Sequence, residues 1–138
     1  MFDTIIVGTD GSKTAAVAVA HATELARLFG GTLHLVSVTK PVPRSAVEGA
    51  SLDDFTEEAR TALHDAAAPA RAARVRVEMH PLMGSPAHAL VELAEELHAD
   101  VIVVGNRGMN RRLLGSVPNT VTHHSPCSVM IVETQHHT

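Results

Sequence analysis

Two short aliphatic runs constrain this chain more than any other feature: Ile5-Ile6-Val7 and Val101-Ile102-Val103-Val104, closed by Gly8 and Gly105. Neither run alternates with polar residues. Both therefore read as strands buried on two faces, the pattern of parallel strands with helices above and below. The remaining sequence must supply those helices. After Asp10-Gly11-Ser12, with Ser12 a good helix cap, residues Ala15, Ala16, Val19, Ala22, Leu25, Ala26 and Phe29 recur at helical spacing until Gly30-Gly31 stops them.

The alternation continues to the C-terminus. Thr32 to Thr39 reads as a second strand, and residues 40–50, with two prolines and no period, as a loop. Ser51 should cap a helix that presents Leu52, Phe55, Ala59, Ala62, Leu63 and Ala66, with Pro69 kinking or ending it. Val75 to Met79 reads as an edge strand. Ser85-Pro86 should start a helix that turns Leu90, Leu93, Ala94 and Leu97 inward. Val101 to Val104 is expected at the centre of the sheet. Gly115-Ser116 should open a short helix to about His124, and Ser128 to Glu133 should form the last strand. Five strands and four helices in strict alternation predict one domain over 1–138, an α/β Rossmann-like sandwich with a parallel sheet.

Composition narrows the function. Three Phe with no Trp or Tyr leave no aromatic platform for stacking bases. A formal charge of −4 is the wrong sign for nonspecific nucleic-acid binding. No apolar run approaches the ~20 residues that span a bilayer. The N-terminus carries Asp3 where a signal peptide would be basic, and Cys127 has no second cysteine to pair with. The expectation is a soluble, cytoplasmic protein with neither a nucleic-acid nor a membrane partner, and with Cys127 as a packed thiol.

Ligands of open α/β sheets bind beyond the carboxyl ends of strands. Two segments at such ends have the right composition: Gly8-Thr9-Asp10-Gly11-Ser12, and Gly105-Asn106-Arg107-Gly108 running to Gly115-Ser116. Glycines let backbone N–H groups approach an anion, and a helix start at Ser116 adds donors and the positive end of the dipole. Arg107, Arg111 and Arg112 add charge, and Asp10 can accept from ribose hydroxyls or hold a phosphate-bridging metal. Each feature also has a purely structural reading. Glycines make turns, Ser116 caps a helix, Asp10 forms an Asx-turn, and the arginines sit in water. Their joint occurrence at two strand ends is what favours a ligand.

Other chemistries lack their motifs. The ten histidines include no HExxH, and neighbours such as His123 and His124 diverge by about 100° on a helix, so no native metal site is expected. Neither a G-x-S-x-G elbow nor a Walker lysine is present, and no residue stands out as a base for water. Slow ATP hydrolysis is the most that the sequence allows.

Residues Ile5 to Ser12, Val103 to Gly108, Leu114 to Val117 and His123 to Val132 resemble the universal stress protein family, and the likeness spans essentially the whole chain. The resemblance implies an adenine nucleotide alpha hydrolase-like sandwich with strand order 3-2-1-4-5, a homodimer formed through the last strand, and binding of ATP or AMP, with magnesium accompanying ATP. By position, Asp10 would lie on the ribose side and Val38 would wall the adenine with Val104 beside it. Gly105, Gly108, Gly115, Ser116 and Val117 would form the phosphate motif. That motif in the family reads G-x2-G-x9-G-[ST], whereas only six residues, Met109 to Leu114, separate Gly108 from Gly115 here. The resulting expectation is a stress-response nucleotide binder that works through conformation and partner contact. The alternative is a nucleotide-free dimeric interaction module whose phosphate loop is three residues short.

Overall fold

The computed structural model describes residues 1–39, 52–106 and 116–134, with side chains from residue 57 onward in the second stretch. Nine elements alternate: β1 (Thr4–Gly8), α1 (Lys13–Phe29), β2 (Thr32–Thr39), α2 (Leu52–Ala72), β3 (Arg76–Met83), α3 (Pro86–Leu97), β4 (Val101–Gly105), α4 (Ser116–His124) and β5 (Ser128–Val132). All strand pairs are parallel, in the order β3-β2-β1-β4-β5. The two aliphatic runs lie side by side, with Ile5 against Val101, Ile6 against Ile102 and Val7 against Val103. The expected parallel sheet and its order hold; β1 takes the central position, and β4, expected there, lies beside it in the interior of the sheet.

Period-two side-chain direction divides these strands between two cores. Ile5, Val7, Leu33, Leu35, Val101 and Val103 meet α1 and α2 through Val19, Ala22, Ala26, Leu63, Ala67 and Ala70. Ile6, Val36, Ile102 and Val104 meet α3 and α4 through Leu90, Leu93, Ala94 and Val121. The small alanine face of α1 brings that helix close to the sheet without large side chains. Phe29 departs from the expected inward stripe: it is exposed and stacks edge-on against Phe2, ring centroids 5.2 Å apart. Ala16 is exposed as well, and Ala18 takes the buried position.

Helix ends follow local chemistry. Ser12 Oγ accepts from the Ala15 N–H at 3.1 Å, and Gly30 closes α1 in the left-handed region with φ 67°. A side chain at Gly31 would collide with the Phe2 carbonyl, so the chain between α1 and β2 can pass β1 only without one. Pro86 occupies the first turn of α3 as expected, but the Ser85 hydroxyl makes no capping bond. Pro86, lacking an N–H, already removes one unpaired donor there.

Two boundaries differ from the sequence reading. Pro69 does not end α2, which runs on to Ala72, so of the two expected outcomes at that proline the ending is the one corrected. Proline frees only the carbonyl four residues back, at Asp65, and both residues are exposed, so that carbonyl is within reach of water. β3 continues past Met79 to Met83 with Pro81 inside it, paired with Ser37. An edge strand tolerates a missing N–H that points away from its neighbour. The expected loop at residues 40–50 and the Ser51 cap lie outside the described residues.

Asp100 ties the start of the sheet together. Its Oδ2 accepts from the Asp3 and Thr4 N–H groups, both at 2.9 Å, and its own N–H donates to the Thr4 carbonyl. Ile102 is fully buried at the centre of the second core. Ile102→Ala is expected to lower unfolding stability by about 3–4 kcal/mol in urea titration, because the packed layer cannot close over the void.

Candidate functional site

The strand order reverses direction between β1 and β4, because β1 leads outward to β2 and β3 while β4 leads to β5. α1 leaves β1 over one face, and α4 lies over the other. A cleft opens between the two departures. Its described walls enclose about 250 Å³ and include Gly8, Thr9 and Asp10 after β1, Val38 from β2, Val104 and Gly105 from β4, and Ser116 and Val117 at the start of α4. Eight of the residues singled out from sequence thus border one cavity. Arg107, Gly108 and Gly115, together with Arg111, Arg112 and the shortened loop, lie outside the described residues.

The β1 side is held by its own hydrogen bonds. The Thr9 N–H donates to the Val36 carbonyl at 2.8 Å, and Thr9 Oγ1 accepts from the Gly11 N–H at 3.1 Å. Gly11 sits at φ 81°, where a side chain would be strained. Asp10 Oδ1 accepts from the Ser12 N–H at 2.9 Å, forming the Asx-turn that sequence admitted as a structural reading. Asp10 remains exposed at the rim and is the one carboxylate among the described lining residues.

The β4 side is anchored by the C-terminal segment. Asn106 Oδ1 accepts from the Thr134 N–H at 2.8 Å and from Thr134 Oγ1 at 2.9 Å, while the Asn106 N–H donates to the Val132 carbonyl. Thr134 is buried, and its methyl would lie 3.0 Å from a Cβ at Gly105. Gly105 thus lets the residues after β5 pack closely against the end of β4, where a side chain would crowd the Thr134 methyl. Sequence reading missed Asn106, whose partner is 28 residues away. It also missed Thr14, Ala15 and Ala18 of α1, and Pro86 and Leu90 of α3, which line the wall together with Val36, Val103 and Pro118. Pro86 alone carried a local signal, as the first residue of a helix that follows a strand end.

The cleft combines an apolar interior (Val36, Val38, Leu90, Val104) with polar groups at the rim, among them Asp10 and the first turn of α4. Free N–H groups in a helix's first turn carry the positive end of its dipole. Such a surface suits a ligand with a flat apolar body and an anionic end.

The whole chain can now be set beside known proteins. The sequence model of the universal stress protein family matches residues 1–133. The chain belongs to that family. A universal stress protein of Mycobacterium tuberculosis is 37% identical over 145 residues, covering 96% of this chain and 97% of its own. A crystal structure of a universal stress protein in complex with cAMP superposes with a TM-score of 0.81 at 36% identity, covering 96% of this chain and 98% of that one. The universal stress protein of Archaeoglobus fulgidus in complex with dAMP superposes with a TM-score of 0.76 at 27% identity, covering 95% and 98%.

A second polar group lies on the same sheet. His34 of β2 is 4% exposed, and its Nδ1 stands 2.9 Å from His80 Nε2 and 3.2 Å from Glu78 Oε2. Burial pushes both imidazoles below the ordinary histidine value of 6.5, and the Glu78 carboxylate partly opposes this. The unfolded chain then takes up protons that the folded chain refuses. Stability from this pair is full above 6.5 and is lost as pH falls toward the depressed folded values. In chelator-treated protein, urea midpoints should drop between about pH 7.5 and about pH 5, and His80→Gln should reduce that drop. Equal drops in the two proteins would contradict the assignment.

Proposed function

We propose that this universal stress protein binds an adenine nucleotide, ATP or AMP, in the cleft between the β1 and β4 loops. In this reading it regulates a stress response through conformation and partner contact, with no fast turnover. The observation that carries the reading is the convergence of Val38 and Val104 with the first turn of α4 on one hollow. The relatives solved with cAMP and dAMP point to the same ligand class.

The roles follow from chemistry. Val38 and Val104 would flank the base, where apolar contact favours a flat ring over water. Asp10 would accept from ribose hydroxyls with its carboxylate. The Ser116 hydroxyl and the Ser116 and Val117 N–H groups would meet the phosphate, since Pro118 has no N–H to offer, with Gly8 and Gly105 allowing close approach. Magnesium would enter only with a nucleotide whose own phosphate oxygens complete its shell, since one carboxylate cannot hold that ion alone. Gly108, Gly115 and Arg107 would complete the phosphate contacts.

The same reading includes a homodimer. β5 is an edge strand, and Ile131 is an exposed large apolar residue on it. Pairing β5 with its twin would cover the free backbone groups and that side chain together. The cytoplasm is the compartment this reading assigns. It accords with the described helices, none of which is long and apolar enough to cross a membrane.

Calorimetry with ATP, AMP and cAMP should give saturable heat for at least one of them. Val38→Asp should abolish it, and Ser116→Ala should weaken it by about 2- to 10-fold, the worth of one hydrogen bond. No heat at millimolar nucleotide, or binding indifferent to both substitutions, would overturn the proposal. For the dimer, size-exclusion chromatography of Ile131→Lys should show a shift to monomer, and an elution volume equal to wild type would count against it.

A further inference from the structure

The His34, Glu78 and His80 group shares no residue with the lining of the cleft. Val36, the nearest lining residue on β2, is two positions beyond His34, or about 7 Å at the usual strand rise. The cross-strand register places His34 opposite Glu78 and Val36 opposite His80. Alternation along β3 puts Glu78 and His80 on one face, the face of His34 and α3. Two adjacent strands thus deliver three ligand-bearing side chains to one point, and one ligand atom from each lies within 4.8 Å of the others.

We propose that His34 Nδ1, His80 Nε2 and a Glu78 carboxylate oxygen form a binding site for a zinc-class divalent cation. Around a tetrahedral ion with ligand bonds near 2.0–2.1 Å, ligand atoms stand about 3.3 Å apart. The two separations from His34, 2.9 Å and 3.2 Å, are close to that value and the His80–Glu78 separation is within 4.8 Å, so the strands already bring the three groups within reach of one ion once the rings turn their lone pairs toward it. Two imidazoles and one carboxylate suit zinc and its neighbours and do not suit magnesium or calcium, which take oxygen ligands.

The chemistry of the two rings also fits. Now one facing nitrogen donates its proton to the other; on binding, that proton shifts to the ring's distal nitrogen and both facing nitrogens offer lone pairs. Burial favours the neutral rings that a metal requires. The Glu96 carboxylate on α3 is felt by His80 and adds negative potential. Because Glu78 is 64% exposed, a fourth position is open to water or to an outside ligand. A cation here would clamp the edge strand β3 onto β2.

The test is titration of the metal-stripped full chain with Zn2+ against a chromophoric chelator, with Co2+ absorption reporting coordination geometry. One tight equivalent is expected, with a tetrahedral cobalt spectrum. His80→Gln and Glu78→Gln, both outside the fully buried core, should each weaken it by at least about tenfold. His124→Gln and a His136→Gln/His137→Gln double variant should leave it unchanged. Zn2+ should also raise the melting temperature of wild type but not of His80→Gln. The proposal falls if no tight equivalent appears, or if the equivalent survives in His80→Gln and Glu78→Gln. It falls equally if the equivalent follows His124 or the tail histidines.

Discussion

The parallel ladder between β1 and β4 is the constraint on which the rest depends. Two aliphatic strands, each covered on both faces, can satisfy their backbone groups only against neighbours in the same sheet. Once Ile5, Ile6 and Val7 pair with Val101, Ile102 and Val103, the later half of the chain must fall on the opposite side of β1 from the earlier half. That reversal sends α1 and α4 to opposite faces and leaves the ends of β1 and β4 facing a shared hollow. The cleft is a consequence of topology before it is a property of any residue.

β2 joins the two places where chemistry concentrates. Its C-terminal half contributes Val36 and Val38 to the cleft, and its N-terminal half contributes His34 to the polar cluster with β3. The same face of one strand therefore passes from a histidine to aliphatic residues within two positions. At the apolar end the strand gives the cleft a dry aliphatic wall. At the polar end it sets a histidine ring beside an edge strand that has no outer neighbour among the described residues. Whatever fixes β3 to β2 fixes the register of both ends.

The fold was legible because its signals are local and repeated. Continuous β-branched runs, Ser12 as a cap, Gly30 as a left-handed stop and Pro86 at a helix start each act within a few residues. Where reading failed, a distant neighbour changed the outcome. Pro69 stays inside α2 because the carbonyl it frees is within reach of water, and Pro81 stays inside β3 because that strand lies at an edge. Among the cleft residues, the glycines, Asp10 and Ser116 carried local signals. Val38 and Val104 owed their place to the family likeness, and Leu90 looked like any core leucine.

The sequence by itself determined the alternation of elements, their parallel sense and the chemistry at two strand ends, since periodicity and turn residues act over short stretches of chain. Only the tertiary structure decided which strand ends meet, that Asn106 is locked by Thr134, and that two of the ten histidines, His34 and His80, converge with the Glu78 carboxylate. Cross-strand register is the physical reason. It joins residues dozens of positions apart through backbone pairing that no local pattern specifies, and a slip of one residue would turn those side chains to the other face.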